Sequence, residues 1–371
     1  MQKILTASEN YSELDEFFKD SGAKNVFLVC DSSINYLKLN DYFNTLYDRM
    51  GICVVRFSDF ESNPKYESVV EGIKAFHANH CDMITVVGGG SAIDIAKCIK
   101  LYANLDSSKN YLKQTIVHNS IMLFAIPTTA GTGSESTRYA VIYYNGEKQS
   151  VTSESCIPST IMLDASVLST LPIYHKKATM MDALCHSIES LWSVNSTCES
   201  KKYSKEAIAL ILANKDGYLA NDNIANANML KAANIAGKAI NITQTTAGHA
   251  MCYKLTSLYS IAHGHAAALC VKALFPYMIA NTNKCIDPRG EIYLKATFDE
   301  IAKAMNVDSA ESASERFAEI VAGLELRAPH IKSENDIYVL KTSVNPVRLK
   351  NNPVSLDVAA IEKLYREIIG E

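Results

Sequence analysis

The feature that most constrains the fold is a change of texture at about Pro172. Before it, short apolar runs rich in Val and Ile stand at 25–30 (NVFLVC), 52–57 (ICVVRF), 83–89 (MITVVGG) and 121–127 (IMLFAIP). Helix-length segments at 34–50, 64–80 and 91–104 separate them. Short, continuously apolar runs suit strands of a parallel sheet, whose two faces are both covered by crossover helices. Their alternation with helices predicts βαβ units. A hairpin turning at Asn145-Gly146 is expected over 138–153, and one more strand over 159–165. Beyond Pro172 the apolar residues recur with a period of about 3.6. That pattern predicts helices at 173–193, 200–218, 224–243, 246–260, 264–281, 289–305, 309–324 and 356–369. The chain therefore reads as an α/β domain with a parallel sheet over 1–168 and an all-α domain over 169–371, with a cleft expected between them.

Composition removes several function classes. A formal charge of −4 speaks against a nucleic-acid binder, which carries a basic excess. The ten cysteines contain no Cys-x-x-Cys pair, which argues against a zinc ribbon or thioredoxin-like centre and suits reduced thiols in the cytoplasm. No stretch has the apolar length of an export signal or a membrane span, so neither is expected.

Two loops point to a nucleotide. The segment VVGGGSAIDIAK (86–97) joins a strand to a helix. Gly88, Gly89 and Gly90 let backbone N–H groups approach a phosphate, and Ser91 is placed to cap a helix whose N-terminus favours an anion. The same glycines also suit a plain tight turn, and the G-x-G-x-x-G fingerprint is absent. A second loop, IPTTAGTGSEST (126–137), follows another strand and carries Thr128, Thr129 and Thr132. Two such loops at the carboxyl ends of parallel strands predict a ligand crevice. Asp31 ends the first apolar run; it suits either the ribose of NAD or a helix cap.

A third constellation points to a metal. Asp182 and His186 lie four residues apart on one helix face. His249, His263 and His265 follow on apolar helices of the same half. One Asp and three His form a plausible ligand set for Fe²⁺ or Zn²⁺ with room for a substrate oxygen, while each alone also suits an ordinary helix residue.

Together GGGSAID (88–94), PTTAGTGSE (127–135), DALCHSIE (182–189) and His249 followed by His263-Gly264 resemble the iron-containing (group III) alcohol dehydrogenases, in the same order along nearly the whole chain. The resemblance implies a dinucleotide-binding α/β domain, a helical metal-binding and substrate domain, and a homodimer. It implies Asp182, His186, His249 and His263 as metal ligands. NAD(H) would lie on Gly88, Gly89, Gly90 and Ser91 with Asp94 nearby. Thr128, Thr129 and Thr132 would line it, Lys148 would contact a ribose, and Asp31 would favour NAD over NADP.

Two departures from the family pattern stand out. Where many members have a second His four residues after the third ligand, this chain has Tyr253, whose hydroxyl titrates at about 10 in model peptides. Tyr253 and His265 are thus the candidates for the proton relay, alongside solvent and the cofactor ribose. Arg138, Lys254 and Arg348 add cations that suit an anionic aldehyde, since charge-assisted bonds to phosphonate or sulfonate are strong. The segments around 192–203 and 343–354 most resemble the phosphonoacetaldehyde reductases, which make 2-hydroxyethylphosphonate, with sulfoacetaldehyde reductases next. The expected activity is NADH-linked reduction of a small aldehyde. A general short-chain primary alcohol dehydrogenase, a dehydroquinate synthase-like lyase and a non-catalytic cofactor binder are the alternatives.

Overall fold

The computed structural model describes residues 2–344 and 346–369. The chain divides into two compact units: one holds 1–129 and 133–171, the other 130–132 and 172–371.

The first unit contains strands β1 (Lys3–Thr6), β2 (Asn25–Cys30), β3 (Cys53–Phe57), β4 (Met83–Gly88), β5 (Met122–Pro127), β6 (Tyr139–Tyr144), β7 (Glu147–Thr152) and β8 (Thr160–Leu163). Helices α1 (Ser12–Ser21), α2 (Lys38–Asn44), α3 (Leu46–Met50), α4 (Tyr66–Ala78) and α5 (Gly90–Tyr102) lie among them in sequence. Six strands form one sheet in the order β1-β8-β5-β4-β2-β3, and every pairing in it is parallel. All six residues of β4 are buried, as the unbroken apolar run requires of a central strand. The chain leaves β2 for β3 on one side and then returns to β4 on the other, so the strand order reverses between β2 and β4. In open α/β sheets a ligand crevice forms at the carboxyl ends of such a reversal. The expected hairpin is β6-β7, and both of its turn residues, Asn145 and Gly146, have positive φ, as a tight two-residue turn needs.

Two local readings change. Residues 34–50 are not one helix but a 3-10 turn (Ser32–Tyr36) followed by α2 and α3. Leu37 is extended, and Thr45 Oγ1 donates to the carbonyls of Asp41 and Tyr42. That side-chain competition for backbone acceptors interrupts the helix. The strand β1 went unread because it is four residues long and mostly exposed, which leaves almost no apolar pattern to see.

The second unit is helical: α6 (Ile173–Trp192), α7 (Cys198–Leu219), α8 (Asn223–Thr243), α9 (Ala247–Tyr259), α10 (His263–Ala280), α11 (Glu291–Ala304), α12 (Ala310–Gly323), α13 (Glu334–Thr342), α14 (Pro346–Leu349) and α15 (Val358–Ile368). Their starts have chemical causes. Thr197 and Ser200 form a reciprocal capping box on α7, and Asp222 and Asp357 cap α8 and α15 through their side chains. Helix α6 is buried along most of its length, from Met180 to Trp192. Among the described residues, no helix is long and apolar enough to cross a membrane.

Candidate active site

In the helical unit, four side chains from three helices converge. Asp182 and His186 project from α6, His249 from α9, and His263 is the first residue of α10. The Asp182 carboxylate is the common neighbour. Its Oδ1 lies 3.3 Å from His249 Nε2, 3.9 Å from His263 Nε2 and 4.0 Å from His186 Nε2. One ligand atom each of Asp182, His249 and His263 fall within 4.8 Å of one another. The His186 and His249 rings stack at 4.4 Å. Close approach of α10 to α6 depends on Gly264: a Cβ there would meet the Ala178 carbonyl oxygen at 2.0 Å and Asp182 Cβ at 2.7 Å. Any side chain would push His263 away from Asp182.

Three features of this cluster fit a divalent metal. The donor set, one carboxylate and three imidazoles, is the chemistry that Fe²⁺ and Zn²⁺ prefer. Burial pushes His186 down to about 4, so the ring is neutral with a lone pair to give, and Nε2 is the nitrogen that faces Asp182. Burial alone would raise Asp182, but His186, His263 and His249 hold it well below the usual carboxylate range. An ionised carboxylate among three imidazoles is a site that calls for a cation.

In the α/β unit, the glycine loop runs from the end of β4 into α5. Gly89 is the N-cap and adds no side-chain bond. The first backbone N–H groups of α5 therefore have no capping side chain and suit an anion. Ser91 does not cap α5 as expected; it sits inside the first turn, because Gly90 is already helical. The Thr128 N–H donates to the Gly88 carbonyl (3.1 Å) and ties the second loop to the first. Thr129 packs beside Gly89, whereas Thr132 groups with the helical unit. Asp31 directly follows β2, whose Cys30 pairs with Val87 of β4. One of its oxygens caps the 3-10 turn through Ser33 N (2.8 Å), and the other lies on the side of Gly88. Both roles weighed for Asp31 are thus compatible.

The Asp94 carboxylate makes its hydrogen bonds to the end of the threonine loop and to the hairpin that follows it. Its two oxygens accept from Ser134 Oγ (2.7 Å) and Val141 N (3.0 Å). Beside it, fully buried Lys97 donates to the carbonyls of Ser134 (2.6 Å), Thr137 (2.7 Å) and Tyr139 (2.7 Å). Together Asp94 and Lys97 fasten the end of the threonine loop and the start of the hairpin to α5. Lys148, on β7, acts electrostatically on Asp94.

Comparison with known proteins decides the family. Residues 2–165 match the model described as iron-containing alcohol dehydrogenase, and 176–369 match the C-terminal model of the Fe-containing alcohol dehydrogenase family. The chain belongs to the iron-containing alcohol dehydrogenases. It is 30% identical to 1,3-propanediol dehydrogenase of Citrobacter freundii over 96% of this chain and 94% of that one. It is 29% identical to phosphonoacetaldehyde reductase of Streptomyces viridochromogenes over 81% and 80%. Its fold is similar to the crystal structure of sulfoacetaldehyde reductase from Bifidobacterium kashiwanohense in complex with NAD+, with a TM-score of 0.86, 22% identity and coverage of 100% and 97%. As a family member the chain is an oxidoreductase that works with NAD(H) and a divalent metal.

Within this alcohol dehydrogenase the two relay candidates are placed differently. The Tyr253 ring stacks on the His263 ring at 5.6 Å and 14°. His265 is buried with both ring nitrogens engaged, Nδ1 with Tyr174 Oη (3.1 Å) and Nε2 with the Arg327 carbonyl (2.9 Å). Burial pushes it below the ordinary histidine value, so it is neutral: Nε2–H donates to Arg327 and Nδ1 accepts from Tyr174. Tyr174 Oη also accepts from the Ala262 N–H (2.9 Å), which ties His265 to the residue before His263.

The cations proposed for substrate are also distributed. Arg138 pairs with Glu154 (2.8 Å) and lies over the Tyr139 ring. Arg348 donates to Gln244 Oε1 (3.2 Å). Lys254 follows Tyr253 on α9 and is half-buried. Sequence reasoning missed Glu189. It stands in DALCHSIE three residues after His186, on the same face of α6, and its carboxylate accepts from His249 Nδ1. That spacing was the available signal.

Proposed function

We propose that the chain interconverts a small aldehyde and its primary alcohol, with NADH as the reductant. What carries this reading is the convergence of Asp182, His186, His249 and His263, in a chain whose other unit offers an uncapped helix N-terminus at a strand-order reversal. Asp182, His186, His249 and His263 would hold the metal, and the backbone of Gly88, Gly89 and Gly90 with Ser91 would take the pyrophosphate. Thr128, Thr129, Thr132, Lys148 and Asp31 would complete the NAD(H) site, and Asp94 would support it by holding Ser134. A bound divalent metal supplies Lewis acidity to the substrate oxygen, and NAD(H) supplies or accepts the hydride. The chain's own part is positioning and charge. Buried Asp182 supplies the negative charge of the cluster, and burial in α6 fixes its position. Tyr253, stacked on His263, is the better placed candidate to pass a proton, since both nitrogens of His265 are spent on structure.

The finer proposal is an anionic aldehyde, phosphonoacetaldehyde, reduced to 2-hydroxyethylphosphonate by a homodimer. Its support is the likeness to a phosphonoacetaldehyde reductase and the cations Arg138, Lys254 and Arg348. The 30% identical relative is named for a neutral diol, and Arg138 and Arg348 already have partners within the chain. NADH oxidation measured with phosphonoacetaldehyde, sulfoacetaldehyde, succinic semialdehyde, butanal and propanal separates these readings. At least about tenfold higher kcat/KM for phosphonoacetaldehyde than for propanal, lost on Arg138→Ala or Lys254→Ala, is expected of an anion clamp. Equal kcat/KM on both substrates overturns the clamp and leaves the reductase. No oxidation of NADH with any aldehyde, in the presence of Fe²⁺ or Zn²⁺, overturns the reductase itself.

A further inference from the structure

Glu189 carries a buried carboxylate that none of the roles above employs. Its side chain is fully buried in α6, and it reaches to the start of α9. Oε1 accepts three hydrogen bonds there: from Thr246 N (3.2 Å), Thr246 Oγ1 (2.6 Å) and His249 N (3.2 Å). Oε2 accepts from His249 Nδ1. Thr246 Oγ1 is itself held by the Trp192 indole N–H (2.8 Å). Thr246 is the N-cap of α9 and supplies no side-chain cap of its own. The carboxylate of another helix fills that place. Gly248 leaves the room: a Cβ there would lie 2.9 Å from Glu189 Oε1 and 2.7 Å from a Val271 methyl.

The consequence concerns the ligand atom of His249. A neutral imidazole has one N–H and one lone pair, and a carboxylate at Nδ1 fixes the N–H there. Nε2, the nitrogen that faces Asp182 Oδ1, is then the atom left to offer a lone pair to a metal. A capping carboxylate that also reads the side chain three residues into the helix orients α9 and the His249 ring in one motion. We propose that Glu189 is the positioning residue of the metal centre: it holds a proton on Nδ1 and fixes the orientation of His249, so that Nε2 is the ligand atom. The inference rests on the metal-site reading above.

The test measures Zn²⁺ affinity of the metal-stripped full-length chain by competition with a chromophoric chelator. Glu189→Gln keeps the shape but cannot accept at both oxygens. It is expected to weaken Zn²⁺ binding about 10–100-fold, the usual cost of losing an outer partner of a metal-bound histidine. In a His249→Ala background the same substitution should change the affinity less than about twofold, because the two act through one interaction. An unchanged affinity in Glu189→Gln, or an equal loss in both backgrounds, overturns the proposal. Failure of the unaltered chain to bind Zn²⁺ overturns the metal-site reading instead. Should the variant not fold, imidazole ¹⁵N NMR of the unaltered Zn²⁺-loaded chain decides: a proton on His249 Nδ1 supports the proposal, and a metal on Nδ1 contradicts it.

Discussion

The two units prepare their ligand sites from different parts of the polypeptide. In the α/β unit the candidate nucleotide site is mostly backbone: a strand end, the glycines before α5 and the uncapped N–H groups of its first turn. In the helical unit the candidate metal centre is all side chain, one carboxylate and three imidazoles from α6, α9 and α10. The difference teaches where specificity resides. A backbone site depends on what is missing, a Cβ or a capping side chain, and tolerates side-chain change around it. A side-chain site depends on orientation, and needs further residues such as Glu189 to hold each ring.

The sharpest way to break this comparison is to damage one site and read the other. His263→Ala should lower turnover at least about a thousandfold if His263 is a metal ligand as proposed. NADH affinity measured by fluorescence should stay within about twofold. A parallel loss of NADH binding would mean that the sites are not separate. Asp31→Ala should do the reverse: the preference for NADH over NADPH falls roughly tenfold to a hundredfold, the worth of hydrogen bonds to one charged group, while Zn²⁺ affinity stays put. A shifted Zn²⁺ affinity would contradict the account.

Two smaller effects concern support. Lys97→Met strands three carbonyls of the loop 134–139 and should cost about 2–4 kcal/mol in denaturant unfolding, as for an unmade buried charged hydrogen-bond set. A neutral outcome would show that solvent replaces the ammonium. Arg138→Ala removes a partly exposed ion pair with Glu154 and should cost less than about 1 kcal/mol. Any larger loss would reveal a structural task for Arg138 beyond that pair.

The contrast also explains what was legible in the sequence. Both kinds of site announce themselves by residue type: glycines between a strand and a helix, and Asp and His on apolar helices. Strands β2, β4 and β5 and helices α6 to α12 were legible because each buries a continuous run or stripe; β3, of which only Phe57 is buried, was legible from its β-branched residues. What escaped are relations across sequence distance. Glu189 works on His249, 60 residues away, and Lys97 on Tyr139, 42 residues away; no local pattern encodes either pairing. The partners of Asp94, Ser134 and Val141, likewise lie 40 and 47 residues on. Helices α13 and α14 are short and present too few turns for a period to show.

The central claim is that Asp182, His186, His249 and His263 are the ligands of one divalent metal. Anomalous diffraction at the iron or zinc edge, from crystals of the metal-loaded chain, tests it directly. The account predicts a single strong peak about 2.0–2.2 Å from the Asp182 carboxylate and the Nε2 atoms of the three histidines. A peak ligated elsewhere in the chain, or none at this cluster, would contradict it.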